Sequence, residues 1–336
     1  MTHPPITVAI ALVHGMLSGV RRRGGADDPY LKDAGIAAEL LLQASARVTA
    51  DQYIALFRSV IERCNDEGLG LLSRPLRRGT FAMIARAGVA EATLHEAIRA
   101  MARAFTLVQD DIILKPVRGD SNWSGIELRL RDPSMFHPEF LHMMILRVSW
   151  RLLAWLADAR LPATAFDFAF ARPDDVDGYA KVVFPALVRF DSARTAIWFD
   201  STESTRTVRR DTGSLRKFLM ASPGSVIVPR REEDVTFAVR RELQRMQPPW
   251  GDLGAVANNL CMSHSTLQRR LAGERTTFQL LKDELRRDIA ITRLHTSAVP
   301  LAALADELGF ADSSAFQRAF KTWTGSTPGV YRQATP

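Results

Sequence analysis

Residues 301–332 read LAALADELGFADSSAFQRAFKTWTGSTPGVYR, and the spacing of this stretch decides the C-terminal fold. Leu301, Leu304, Ala305 and Leu308 recur at i, i+3, i+4 and i+7, which places them on one stripe of a helix. Gly309 suits the end of that helix, since it accepts positive φ without a Cβ clash. Asp312 suits an N-cap, where a short carboxylate accepts the unpaired N–H groups of a first turn. In the helix that follows, Phe316, Ala319, Phe320 and Trp323 repeat the same spacing and are expected in the core. Ser313, Ser314, Gln317, Arg318 and Lys321 are left outside, so the pattern predicts two helices around a tight turn, with a polar, cationic outer face.

A related pattern precedes it. Leu253, Val256, Ala257 and Leu260 repeat the first stripe at an offset of 48 residues, and Leu267, Gln268, Arg269 and Leu271 match Phe316, Gln317, Arg318 and Phe320 at an offset of 49. Two helix-turn-helix units in tandem are therefore expected, at about 253–272 and 301–323, each presenting a Gln-Arg pair outward. Between them Phe278, Leu281, Leu285 and Ile289 share one face of a predicted helix over 276–295, which at 1.5 Å per residue is about 30 Å long. Successive major-groove faces of B-DNA lie about 34 Å apart, so one rigid spacer is suited to holding both units against a duplex.

The 336 residues leave room for two domains, and 46% hydrophobic with 24% charged residues excludes a disordered or fibrous chain. A net charge of +7 permits an anionic partner. Cys64 and Cys261 are expected on apolar helix faces, as buried thiols in a reducing cytoplasm rather than a disulfide. The apolar run over 6–20 lacks a basic leader, contains His14 and is followed by Arg21, Arg22 and Arg23, so it is not read as a secretory signal. No run approaches the length that spans a bilayer, and no membrane association is expected.

Along the N-terminal part, residues 6–45 read as two helices around a polar break. Thr49-Ala-Asp-Gln52 has the form of a capping box. Helical segments follow near 80–87 and 91–107. Ile126, Leu128 and Leu130 alternate as a strand does, a long helix is expected over 138–159, and Phe166, Phe168 and Phe170 alternate again, with further strands near 187–190 and 196–199. The fold class is thus an α+β N-terminal domain, a helical layer with a small sheet, followed by an all-α C-terminal domain. Pro, Gly and charge over 221–234 mark the boundary. The division is 1–228 for effector binding and dimerisation, 229–236 as linker, and 237–336 for DNA binding.

Residues 309–332 resemble the signature of the AraC/XylS family of bacterial transcription regulators, through Gly309-Phe310, Phe316, Arg318, Phe320-Lys321, Gly325, Thr327-Pro328 and Tyr331-Arg332. The resemblance covers about the last hundred residues and includes Ser263, Leu267, Gln268 and Arg269 of the first unit. VTADQYIALF, RRGTFAMIARAG and the helix after Pro138 are similar to the helical "arabinose-binding" type of sensor domain in that family. Ser313 departs from the pattern, since relatives often carry proline there. The resemblance implies an activator that binds double-stranded promoter DNA, responds to a small-molecule effector, works with RNA polymerase and forms a homodimer. The first helix would present His264, Ser265, Thr266, Gln268 and Arg269 to a major groove, and the second Ser313, Ser314, Gln317 and Arg318, with Lys321 on phosphate. Arg suits the guanine O6/N7 edge and Gln the adenine N6/N7 edge. The competing reading makes these residues solvated surface or partners of internal ion pairs. Ser263 and Asp312 are read as caps.

For the effector, Trp123, Phe166, Phe168, Phe170 and Trp198 are candidates for an apolar pocket, with Arg147 or Arg151 fixing an anionic group; sheet core and surface charge is the other reading. An N-terminal domain that only dimerises remains an alternative, as does an enzyme fused to a DNA-binding module. Against an enzyme, the chain shows no nucleophile motif, metal cluster or phosphate loop, and no cofactor is expected. His137 and His142 at i, i+5 do not share a helix face as a zinc pair does.

Overall fold

The structure is a computed structural model that describes residues 5–119, 122–132, 139–158, 161–173, 187–222, 224, 235–246, 250–274 and 276–333. Residues 229–234 of the expected linker lie outside these, as do His137, Pro138, Ala159 and the Pro248-Pro249 pair. The chain divides into two compact units whose boundaries do not follow its order: one takes Met1–Ile10, Gly35–Tyr53 and Arg230–Pro336, the other Ala11–Ala34 and Ile54–Pro229. The sequence reading had kept residues 1–228 together; two short pieces of that region pack instead with the C-terminal helices.

In the first unit, Val235–Met246 leads into two helix pairs, Leu253–Asn259 with His264–Gly273 and Leu301–Glu307 with Ser313–Thr324. The spacer helix Phe278–Thr296 lies between them in sequence, and Pro328–Gln333 closes the chain. Residues 235 and 236, expected in the linker, already belong to the first of these helices. Both turns form as the spacing requires. Gly309 takes φ 70°, and Val256, Ala257, Leu267, Leu271, Leu304, Ala305, Leu308, Phe316 and Phe320 are buried. Ala319 and Trp323, expected in the core, are only half-buried, because Trp323 lies at the edge of the ring cluster against Phe310, with centroids 5.9 Å apart. Cys261 corrects the expectation of a buried thiol: it sits in the first turn at φ 54°, exposed, while Cys64 is half-buried, and both are free.

The N-terminal pieces add strand β1 (Thr7–Ala9), antiparallel to β2 (Arg47–Thr49), and a 3-10 helix over Ala38–Leu42. Residues 6–9 were expected to open a helix, but three-residue strands carry no readable period, and their pairing partner lies some forty residues away. The anticipated capping box does form: Thr49 N–H donates to Gln52 Oε1 at 2.9 Å and Gln52 N–H to Thr49 Oγ1 at 3.1 Å. The ribbon packs on the spacer helix.

That helix buries Leu281, Leu285, Asp288, Ala290, Ile291 and Leu294, whereas Ile289 is half-buried, so its inner face runs through an acid. Asp288 is 3% exposed. Its Oδ1 accepts from the Thr7 hydroxyl at 2.5 Å and from Arg287 at 3.2 Å, and its Oδ2 accepts from Arg240 at 2.6 Å. Arg47 completes the set by donating to Thr7 Oγ1 at 2.7 Å and to the Thr7 carbonyl at 2.9 Å. Burial works to raise the Asp288 pKa, but the charges of Arg287, Arg240 and Arg47 with the Thr7 hydrogen bond outweigh it, holding the carboxyl below its ordinary value. Burial, reinforced by Arg287, pushes the Arg47 guanidinium down to about 10. Two residues earlier on the same helix, Arg286 lies over the rings of Trp250 at 5.3 Å and Phe310 at 5.1 Å and donates to the Leu308 carbonyl, joining the spacer to the lead-in of the first helix pair and to the turn of the second.

The second unit is α+β. Its sheet has the order β3-β4-β7-β5-β6, with β3 over Ile112–Arg118, β4 over Trp123–Leu130, β5 over Ala165–Asp167, β6 over Leu187–Arg189 and β7 over Thr195–Asp200. All neighbours are antiparallel except β5 and β6. Gly125 in β4 stands opposite Trp198, where a Cβ would come within 2.1 Å of the Ile197 carbonyl oxygen. Thr80–Val89 and Leu94–Val108 pack together and on Glu139–Leu156, with Leu94–Val108 also against β3. Where a second helix was expected within 6–45, the chain forms only the short helix Asp28–Asp33 and the 3-10 turn of the other unit. No helix among the described residues is long and apolar enough to cross a membrane.

Replacing Asp288 by Asn should destabilise the first unit by about 3–5 kcal/mol, because it leaves buried guanidinium groups without their counter-charge. Urea unfolding of the whole chain followed by circular dichroism measures this; a change near zero would show that the network supports nothing. The folded pKa is depressed, so the Asp288 contribution is present above the ordinary carboxylate value of about 3.9 and is lost as pH falls through the folded value. This acid-side loss should vanish in the Asn variant.

Candidate nucleic-acid interface and sensor cavity

Each reading helix begins on a side-chain cap. Ser263 Oγ accepts from the Thr266 N–H at 3.2 Å, and an Asp312 carboxylate oxygen accepts from the Ala315 N–H at 2.7 Å. The second helix therefore starts at Ser313 without a proline, and Gly325 ends it at φ 71°. A Cβ on Gly325 would meet Gln43 Oε1 at 2.8 Å, so the N-terminal pieces reach the end of this helix as well.

With the apolar stripes turned inward, His264, Ser265, Gln268 and Arg269 are exposed on the first helix, and Ser314, Gln317, Arg318 and Lys321 on the second. Thr266 and Ser313 are half-buried, and the Thr266 hydroxyl accepts from Ser263 at 2.8 Å. Arg240, Arg245, Arg286, Arg287 and Arg293 of the same unit are each committed to a carboxylate. Arg269, Arg318 and Lys321 have no carboxylate partner among the described residues, so their charges face solvent. Arg270, which the sequence reading passed over, is likewise exposed and unpaired there; the signal for it was the doubled arginine after Gln268.

In the other unit the seven effector candidates are dispersed. Phe166 and Phe168 are fully buried, Phe166 edge-on to Trp150, and Phe168 clusters with Phe170 and Phe190. The Trp198 indole N–H donates to Asp167 at 2.8 Å, and Trp123 is 39% exposed at the start of its strand. Arg147 is buried on the long helix, and Arg151 lies over the Trp150 ring at 5.6 Å. A cavity of about 470 Å³ opens between the helices Ala50–Cys64, Thr80–Val89, Leu94–Val108 and Glu139–Leu156, and none of the seven lines it.

A sensor-like α+β unit and two capped helix pairs with exposed cationic faces define a helix-turn-helix regulator. The description of one family model, the arabinose-binding domain of AraC transcription regulators, N-terminal, matches residues 24–208, and a helix-turn-helix domain matches 256–334. The chain belongs to the AraC family of transcription regulators. It resembles the ornithine utilization regulator of Pseudomonas aeruginosa, with 26% identity over 97% of this chain and 96% of that one. The regulator VirS of Mycobacterium tuberculosis is 26% identical over 79% of this chain and 76% of its own, and VqsM of Pseudomonas aeruginosa is 32% identical over 27% and 28%. The protein is a DNA-binding transcription regulator with a ligand-sensing N-terminal domain, and its relatives and domains are those of regulators rather than enzymes.

Substituting Ser263 or Asp312 by Ala should each lower stability by about 0.5–2 kcal/mol through loss of a cap. Thermal unfolding compared with the parent chain checks it, and unchanged melting for both would remove the capping role.

Proposed function

We propose that the chain acts in the cytoplasm as a sequence-specific activator that lays both reading helices in the major groove of promoter DNA, engages RNA polymerase and works as a homodimer without catalysis of its own. The observation that carries the groove assignment is the repeated Gln-Arg pair, exposed in both helices and free of internal ion pairs where five neighbouring arginines are committed. Arg269 and Arg318 read base edges, Gln268 and Gln317 assist them, and His264, Ser265, Thr266, Ser313 and Ser314 make adaptable contacts. Lys321, and with it Arg270, contacts phosphate.

The cavity in the N-terminal unit supports effector sensing over a domain that only dimerises. A ligand there changes DNA binding only by favouring one of two states of the chain. The relative that regulates ornithine utilization does not by its name assign ornithine here, since a cavity's own chemistry selects what fills it.

Arg269→Ala and Arg318→Ala should each weaken operator binding by about 1–3 kcal/mol and relax preference at one base pair. Gel shifts over single-base operator variants read this, and an unchanged preference profile sinks direct readout. Lys321→Ala should weaken binding across all sequences and reduce the slope of log K against log salt by about 0.9. An unchanged slope removes the phosphate contact.

A further inference from the structure

The lining of the sensor cavity is sorted by depth. Every lining residue that is buried is apolar: Ile98, Met101, Ala102, Phe105, Ile126 and Leu152. Every lining residue that is exposed is charged: Arg58, Glu62 and Arg78. Of the half-buried polar members, Glu67 accepts the N–H groups of Gly79 and Phe81, both at 2.7 Å, and the Thr80 hydroxyl donates to the Arg77 carbonyl at 2.6 Å. These groups are used in shaping the loop that carries Arg78. The loop is fastened further by the buried Asp66 carboxylate, which accepts from the N–H groups of Gly68, Gly70 and Leu76. Arg78 therefore stands on a fixed support at the opening, and Arg58 on a helix. Neither has a carboxylate partner among the described residues.

We propose that the effector is an amphipathic carboxylic acid of the medium-chain fatty acid type, with its apolar body against the inner wall and its carboxylate at Arg58 and Arg78. This rests on the reading of the chain as an effector-responsive regulator. The volume falls within the range of small-molecule sites, about 300–1,000 Å³. Below the rim the lining offers, besides Glu67 and Thr80, only the half-buried hydroxyls of Ser149 and Ser222, too few for the polar groups of a diamino acid or a sugar, and burying such groups unpaired is unfavourable. A wholly apolar guest would fill the wall but leave the rim unused. Of the four charged lining residues, Glu67 has its carboxylate taken up by two backbone N–H groups, whereas Arg58 and Arg78 keep their guanidinium groups without a carboxylate partner among the described residues, and a guanidinium suits a carboxylate in charge and in fork geometry.

Isothermal titration of the whole chain with decanoate, 1-decanol and L-ornithine tests this. Decanoate should bind saturably and at least tenfold more tightly than decanol, and ornithine should not bind. The double variant Arg58→Gln/Arg78→Gln should lose tenfold or more in decanoate affinity while its decanol affinity stays within twofold. Val148→Trp, which fills the wall, should abolish binding of both; its melting curve reports whether it folds, and the surface double variant carries the test if it does not. No decanoate binding, equal binding of decanoate and decanol, an unaffected double variant, or preference for ornithine would each overturn the proposal. Operator affinity measured in parallel, on a duplex selected from random sequence, separates the two levels. Decanoate that binds without changing operator affinity defeats the effector reading but not the site. Operator affinity that responds to ornithine alone defeats the acid and keeps the reading.

Discussion

The carboxylate of Asp288 is the constraint on which the DNA-binding unit depends. Four partners from separate parts of the chain meet around it: Thr7, Arg47, Arg240 and its own neighbour Arg287. A buried ion cluster of this kind is not a large net source of stability, because desolvation offsets most of the attraction. Its effect is selective: any arrangement that leaves out one partner strands the others in a medium that tolerates no unpaired charge. The spacer helix is thereby set in one rotation, and Arg286, two residues away on another face, is directed onto Trp250 before the first helix pair and Phe310 in the turn of the second.

Much of this unit was legible in the sequence. The repeat of Leu304-Ala305 with Val256-Ala257, the caps Ser263 and Asp312, and Gly309 all act locally, within the few residues that a periodicity argument spans. What escaped was non-local. The strands Thr7–Ala9 and Arg47–Thr49 are too short for a pattern, and their place in the C-terminal unit depends on Asp288, which periodicity alone treats as an interruption beside Ile289. Cys261 was misjudged because the turn, unlike the helix it was assigned to, places its side chain outward.

The sensor unit shows a different limit. Aromatic alternation over Phe166, Phe168 and Phe170 located a sheet, and the sheet uses those rings for its own packing. The cavity is walled instead mainly by aliphatic and aromatic residues from four helices, with Leu114 and Ile126 of the sheet, and the individual patterns say only that each element has an apolar face. Whether facing apolar stripes meet tightly or leave about 470 Å³ between them depends on how the helices are splayed, and no single stretch encodes that. The charged rim was hidden for a related reason, since Arg58 and Arg78 lie on different elements twenty residues apart.

The hydrogen bonds from Thr7 to Asp288 and from the Arg47 N–H to Tyr331 span 281 and 284 residues. Proteins are made from the N-terminus, so β1 and β2 leave the ribosome early and must wait for almost the whole chain before their partners exist. The second helix pair is consequently made long after the ribbon with which it shares a unit. An interrupted chain carries the ribbon without the helices, and a C-terminal fragment carries the helices without the ribbon. The ribbon at Thr7–Ala9 and Arg47–Thr49 is in this way made before most of the sensor unit, and the spacer helix that it packs on is made after it.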